Sequence, residues 1–244
     1  MARPILLVAG GSRGIGAATA RLAGGRGYDV AVNFKSAARQ AAEVVADIKS
    51  CGGKAIAIQG DMAREDDIER VFKETEALGP LTHFVHSSGI TGRNSRLDGV
   101  SAETIREVLD VNTYGALLFL RAAVRRISTK NGGAGGAVVM LSSMAAEIGA
   151  AGEYTWYAAA KAAVNTMVLG VARETAKEGV RINAVSPGAI DTEIHEPGRL
   201  DRIKPMLPMG RPGTAEEVAE TILFLLSDAA SYINGAIVKV SGAR

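Results

Sequence analysis

Tyr157 and Lys161 stand four residues apart in a run of alanines, Tyr157-Ala158-Ala159-Ala160-Lys161, a composition that favours a helix. On a helix that spacing puts both side chains on one face, one turn apart. A free phenol, with a pKa of ~10, is a poor base at neutral pH. An ammonium group beside it stabilises the phenolate, so Lys161 is expected to bring the pKa of Tyr157 down toward the working range of proton transfer. Upstream, Ser142 and Ser143 close an apolar run, and either hydroxyl can hydrogen-bond a substrate oxygen beside the phenol. Such a set polarises and protonates a carbonyl, or runs the step backwards on an alcohol. It holds no hydride, so a redox cofactor must be bound elsewhere in the chain. Of the tyrosines at 28, 114, 154, 157 and 232, only Tyr157 has a lysine four residues on.

The elements that must position these groups alternate almost without a break. Short apolar runs at 5–9, 30–34, 55–59, 83–87, 137–141, 181–185 and 236–240 read as strands. Helical patterns at 15–26, 37–50, 65–78, 102–127, 158–178 and 215–226 separate them, the last opened by a capping box from Thr214 to Glu217. Strands and helices in that order make βαβ units. The expected fold class is α/β: a single doubly wound, Rossmann-type parallel sheet of about seven strands with helices on both faces. No linker divides the sequence, so residues 1–244 are expected to form one domain. Residues 190–212 interrupt the alternation with Pro197, Pro205, Pro208 and Pro212. A long irregular insertion late in such a domain reads as a substrate lid, with an ordinary surface excursion as the alternative.

Composition narrows the partners. The net charge of +2 is spread along the chain with no basic block, which argues against nucleic acid. The single cysteine, Cys51, excludes an internal disulfide and suggests a reducing compartment. The apolar run at 5–9 is too short for a signal-peptide core, and no stretch has the length of a transmembrane helix. A soluble, cytoplasmic protein without membrane partners is expected.

The cofactor end begins at Gly10-Gly11-Ser12-Arg13-Gly14-Ile15-Gly16, between the first strand and the first helix. Glycines there let the backbone approach a pyrophosphate, whose charge is favoured at the helix N-terminus. The spacing departs from G-x-G-x-x-G; in that register Thr19 takes the third glycine position. An NAD-selective site places an acid at the end of the second strand. Here the chain reads Asn33-Phe34-Lys35-Ser36, without one, and Arg13 and Lys35 offer positive charge where a 2′-phosphate would lie. NADP(H) is therefore expected over NAD(H).

Together these pieces resemble the short-chain dehydrogenase/reductase family, nearly end to end. The glycine loop, the serines and the Tyr157–Lys161 pair occur in the family's order. Asp61, with Met62 beside it, matches the family's aspartate near the adenine, and Asn112 its active-site asparagine. Pro187-Gly188, followed by Ile190 and Thr192, looks like the segment that contacts the nicotinamide. The resemblance implies that Tyr157 is the general acid/base and that Lys161 lowers its pKa while holding the nicotinamide ribose. It further implies that Ser143 orients the carbonyl and that Asn112 holds a water in a relay to Lys161. Where the family usually reads Asn-Asn-Ala-Gly, this chain has His86-Ser87-Ser88-Gly89; Ser88 and Gly89 keep the small residues that admit the cofactor. Ser143 lies fourteen residues before Tyr157, one more than is commonest, which leaves open whether Ser142 or Ser143 faces the substrate.

Other residues have plainer readings. His83 and His86 point to opposite faces of a strand, so no metal site is expected. His195 reads as an exposed loop histidine, with contact to substrate as the alternative, and Arg199, Arg202, Lys204 and Arg211 as solvated lid charges, with attraction of an acidic ligand or carrier as the alternative. Trp156 either walls the pocket or packs against a neighbouring element. The expected activity is an NADP(H)-dependent interconversion of a small-molecule carbonyl and a secondary alcohol, a 3-oxoacyl group or small ketone being favoured. A sugar or polyol dehydrogenase of the same family is the alternative, and a non-catalytic NADP-binding regulator a more distant one. Helices 102–127 and 158–178 are apolar around much of their circumference, and the resemblance implies helix pairing in a homotetramer, with a dimer as runner-up.

Overall fold

The computed structural model describes residues 3–243; Met1, Ala2 and Arg244, parts of the expected domain, lie outside the described residues. The strands are β1 (Ile5–Ala9), β2 (Asp29–Phe34), β3 (Ala55–Gln59), β4 (His83–His86), β5 (Gly136–Leu141), β6 (Val180–Pro187) and β7 (Ile237–Val240). They form one sheet in the order β3-β2-β1-β4-β5-β6-β7, each neighbouring pair parallel. The chain runs outward from β1 to β3 and then resumes at β4 on the other side. The strand order therefore reverses between β1 and β4, and a crevice opens at their C-terminal ends.

Strand alternation sorts the core into two layers. Leu7, Phe84, Val138 and Ile182 face α3 (Glu65–Thr75), α5 (Ala116–Ile127) and α7 (Thr155–Thr175). Leu6, Val8, Val85 and Val139 face α1 (Gly14–Gly25), α2 (Ala38–Ser50) and α9 (Ala215–Leu226). With both faces covered, the central strands β1 and β5 are apolar throughout and so read as continuous runs, while the edge strands β3 and β7 carry exposed positions. The capping box of α9 is present, Thr214 and Glu217 each bonding the other's backbone amide.

Two helices differ from their sequence pattern. The stretch 102–127 is not one regular helix: α4 (Ala102–Leu109) runs into a widened π turn at Asp110–Gly115 before α5 resumes. Asn112 Nδ2 donates to the carbonyl of Val108 at 2.9 Å, the acceptor a regular helix would reserve for the Asn112 amide. The other difference is at α7, which starts at Thr155 rather than 158, its first turn fixed by Trp156 Nε1 donating to Thr91 O at 2.8 Å.

Residues 190–212 carry little regular structure. Ile190 forms a single parallel bridge to Gly213, and α6 (Ala145–Ile148) in the loop after β5 has its counterpart here in the short α8 (Arg199–Ile203). A small core of Ala189, Ile203 and Leu207, with Leu200 against it, holds the segment together. No helix among the described residues is long and apolar enough to cross a membrane.

Candidate active site

β5 delivers both serines to the C-terminal edge of the sheet, but they do different things. Ser142 continues the pairing with β6, its amide donating to Val185 O at 2.8 Å. Its buried hydroxyl donates to Lys161 O at 3.3 Å and so ties β5 to α7. Ser143 Oγ accepts from the Ala145 amide at 3.1 Å and lies beside the phenol of Tyr157, where it favours the phenolate. Of the two hydroxyls left open by the fourteen-residue spacing, that of Ser142 is turned to the backbone of α7, while Ser143 lies beside Tyr157 on the cavity wall. The intervening loop takes up its length in α6 and in backbone at positive φ, at Gly149, Ala150 and Gly152.

Tyr157 and Lys161 share the inner face of α7, as their spacing requires, and both are buried. The Lys161 ammonium lies 5.7 Å from the Tyr157 ring centroid and donates to Leu141 O at 2.8 Å. Burial pushes Lys161 down to about 8. The phenol does not follow the expectation that Lys161 would lower it. Burial pushes Tyr157 up to about 12, outweighing the Ser143 hydrogen bond and the Arg199 charge, both of which favour the phenolate. The physical reason is that the desolvation of a fully enclosed phenol dominates, while the ammonium directs a hydrogen bond at the Leu141 carbonyl. The cation acting on the phenol comes from residues 190–212.

Asn112 sits in the widened turn with its amide bonded to Ile90: Nδ2 donates to Ile90 O at 2.7 Å, and Oδ1 accepts from Ile90 N at 3.2 Å. Gly89 fills the gap beside it, where a Cβ would come within 2.5 Å of Asn112 Oδ1 and 3.4 Å of Lys161 Nζ. His86, on β4 just below, is wholly buried. Its ring packs edge-on near Phe84 and Phe119, and neither ring nitrogen has a hydrogen-bond partner. Burial, reinforced by the Lys161 charge, pushes it down to about 3, so it stays neutral. His83 faces the other way, against Tyr28.

A cavity of about 440 Å³ runs from the glycine loop to the catalytic helix, within the range of small-molecule and cofactor sites. At its cofactor end it is lined by Gly10, Ser12, Arg13, Gly14 and Ile15, then by Asn33, Phe34, Lys35, Asp61 and Met62. Ser88, Gly89, Pro187, Gly188, Ile190 and Thr192 complete it toward the catalytic pair. Gly16 lies behind this wall, so close to Gly10 O that any Cβ there would collide with it. Gly10 itself is at φ +73, and a side chain on it would strike Ser88 Oγ, a buried hydroxyl with no partner. At the end of β2, Asn33 turns its amide nitrogen to the carbonyls of Ile58 and Gly60. The Lys35 ammonium lies 2.8 Å from Asp61 Oδ2. Burial alone would raise Asp61, but bonds from Lys35 and the Ala63 amide, with the Lys35 charge, hold it below the usual carboxylate value. Arg13 is exposed and makes no ion pair among the described residues.

The substrate end holds the largest departure from expectation. Arg202 and Lys204 are exposed, and Arg211 pairs with Glu217 at the surface, as solvated lid charges would. Arg199 is only 5% exposed and lines the cavity beside Glu153 and His195. His195 is half-buried, its Nδ1 3.2 Å from Arg199 Nη1, rather than free in solvent. Trp156 is buried and stands outside the cavity wall, so its role is packing. Sequence reasoning missed Glu153 and Tyr154 altogether; their position just ahead of the catalytic tyrosine was the available signal.

The chain matches, over residues 9–242, the sequence family described as enoyl-(acyl carrier protein) reductase. It is 44% identical to an uncharacterised oxidoreductase of Escherichia coli (strain K12), covering 98% of this chain and 99% of the other. It is 38% identical to a 3-oxoacyl-[acyl-carrier-protein] reductase of Synechocystis, covering 98% and 95%. The chain belongs to the short-chain dehydrogenase/reductase family. A family member from Burkholderia cenocepacia J2315, solved in complex with NADP, superposes with a TM-score of 0.91 at 32% identity, covering 98% of this chain and 97% of that one. Membership makes the protein an oxidoreductase. It also gives meaning to His86 and Ser87, which replace the family's usual asparagines while leaving Gly89 against Asn112.

Proposed function

We propose that the protein interconverts a carbonyl and a secondary alcohol with NADP(H), Tyr157 acting as general acid/base. The observation that carries this reading is the buried Tyr157, beside Ser143 and one turn from Lys161, at the end of a glycine-lined cleft. The residues present fit a dinucleotide. Gly10 and Gly16 keep the first turn free of side chains, the N-terminus of α1 opens into the cavity, and the unpartnered Ser88 hydroxyl is available to a ligand. When bound, the nicotinamide supplies the hydride in reduction and accepts it in oxidation. Ser143 donates to the carbonyl oxygen, and Tyr157 gives that oxygen its proton. A phenol near 12 is fully protonated at neutral pH, which suits reduction; the reverse direction requires the phenolate. Lys161 holds the ribose, and Asn112 anchors a water that returns protons through Lys161, a reading supported by the two groups facing the same Gly89.

NADP(H) is favoured over NAD(H) by the uncommitted Arg13 and by the absence of a carboxylate at the end of β2. Residues 190–212 are the substrate lid of a single domain. A 3-oxoacyl group or small ketone is favoured by the apolar lining at Met144, Ile148 and Ile194. The polar wall of Glu153, His195 and Arg199 favours the second reading, a sugar or polyol substrate. A non-catalytic regulator would have no need of the intact Tyr157 and Lys161. A homotetramer is supported by Leu109, Tyr114, Leu117 and Leu169, exposed on α4, the π turn, α5 and α7, and a cytoplasmic location by the exposed, unpaired Cys51. NADPH depletion measured across a panel of 3-oxoacyl thioesters, small ketones and ketoses tests the proposal; no oxidation with any carbonyl would overturn it.

A further inference from the structure

Arg199 opens α8 and is nearly as buried as the catalytic pair. Its Nε and Nη2 donate to Glu153 Oε1 and Oε2 at 3.3 and 2.7 Å, a fork gripping one carboxylate. Its Cζ lies 5.4 Å from the centroid of the Tyr154 ring. That ring meets Tyr157 edge-on, with centroids 5.5 Å apart. Glu153 immediately precedes Tyr154 in the approach to α7, so an unbroken path leads from residues 190–212 to the phenol. Burying a guanidinium carries a large desolvation penalty even when it is paired. A tether alone needs no such pair: Arg211 and Glu217 make theirs at the surface.

We propose that Glu153 and Arg199 are a positioning pair for Tyr157, their opposed charges setting how readily the phenol yields its proton while their contact seats the lid. The inference rests on the reading of Tyr157 as the acid/base. The groups around the phenol are Ser143 from the loop after β5, Tyr154 and Lys161 before and on α7, and the charge of Arg199, which itself meets Glu153 and His195 and feels the charge of Glu196. The Arg199 charge favours the phenolate, and Glu153, bonded to that guanidinium, offsets part of it, as a carboxylate beside a cation must. Cutting the contact from either side weakens the lid equally, but the charge left behind differs in sign.

The pH dependence of kcat for alcohol oxidation, which needs the phenolate, separates the two effects. Arg199→Gln removes the cation and is expected to move the inflection up by about one pH unit; Glu153→Gln removes the carboxylate that offsets it, leaving only the weaker influence of the Glu196 charge, and is expected to move it down. The double variant returns near the wild-type value, and Arg199→Lys holds it there. The series is repeated in His195→Gln, Tyr154→Phe and Glu196→Gln backgrounds, which remove the other titratable groups acting on the guanidinium. Alkaline titration of tyrosinate absorbance, with Tyr157→Phe subtracted, reads the same shifts without turnover. Inflections that stay fixed, or move in the same direction in both single variants, would overturn the proposal. If the glutamine variants do not fold, Arg199→Met and Glu153→Leu, which also remove one charge each, carry the same opposite signs, and inflections that stay fixed in them would overturn the proposal. The reading of Tyr157 fails separately, if Tyr157→Phe keeps its turnover.

Discussion

Replacing Arg13 by alanine removes a cation whose charge no carboxylate in the described structure neutralises. A charge-assisted hydrogen bond to a 2′-phosphate contributes roughly 1.5–3 kcal/mol, equivalent to about ten- to a hundredfold in affinity. Arg13 is exposed, so the lower end applies. kcat/KM for NADPH is expected to fall about tenfold, with that for NADH nearly unchanged, since NADH offers a neutral hydroxyl at the same place. Lys35 gives a smaller effect because its ammonium already meets Asp61 at 2.8 Å. Phe34→Asp should act in the opposite sense, repelling the phosphate and giving the NADH hydroxyl an acceptor. Initial rates with both reduced cofactors, in wild type, Arg13→Ala and Phe34→Asp, make the comparison. Equal use of the two cofactors by wild type, or an equal loss with both in Arg13→Ala, would refute the reasoning.

Ser143→Ala should reduce turnover much more than Ser142→Ala, whose main effect is a stability loss of about 1 kcal/mol from the bond to Lys161 O; steady-state rates and thermal melts on both variants check the order. His86 is neutral in the fold down to about 3 and titrates near 6.5 when unfolded, so the unfolded chain binds the extra proton between those values. Its contribution to stability is therefore present above pH 6.5 and lost as pH falls toward 3. Thermal melts from pH 7 to 5 should show a smaller decline in His86→Leu than in wild type, and an equal decline would count against the burial argument. Light scattering at micromolar protein should give the mass of a tetramer, and Leu117→Arg should reduce it; a monomeric wild type would exclude the assembly.

The sheet was legible because strands buried on both faces need continuous apolar runs, and every expected strand lies within a residue or two of its place. The juxtaposition of the proposed catalytic residues was legible for a different reason: the shared face of Tyr157 and Lys161 depends only on helical spacing, and the place of Ser143 on the end of β5. What escaped the sequence depends on contacts distant along the chain. The π turn arises from Asn112 reaching Val108 O and from Gly115 lying against the backbone of Met62, neither of which periodicity can register. Arg199 looked like its exposed neighbours because its partner, Glu153, lies 46 residues away. The phenol was expected to be lowered because Lys161 lies one helical turn away on the same face, whereas burial by the whole site dominates.

The central claim is that the proton in the reaction comes from Tyr157. Tyr157→Phe keeps the ring, its edge-on contact with Tyr154 and the packing of α7, and removes only the transferable proton. NADPH binding followed by fluorescence, together with single-turnover NADPH oxidation on the best carbonyl of the panel, tests the claim most directly. The account predicts unchanged binding and melting temperature with a rate lowered by roughly two to four orders of magnitude, the contribution of general acid–base catalysis. A phenylalanine variant that binds NADPH and oxidises it at close to the wild-type rate would contradict it.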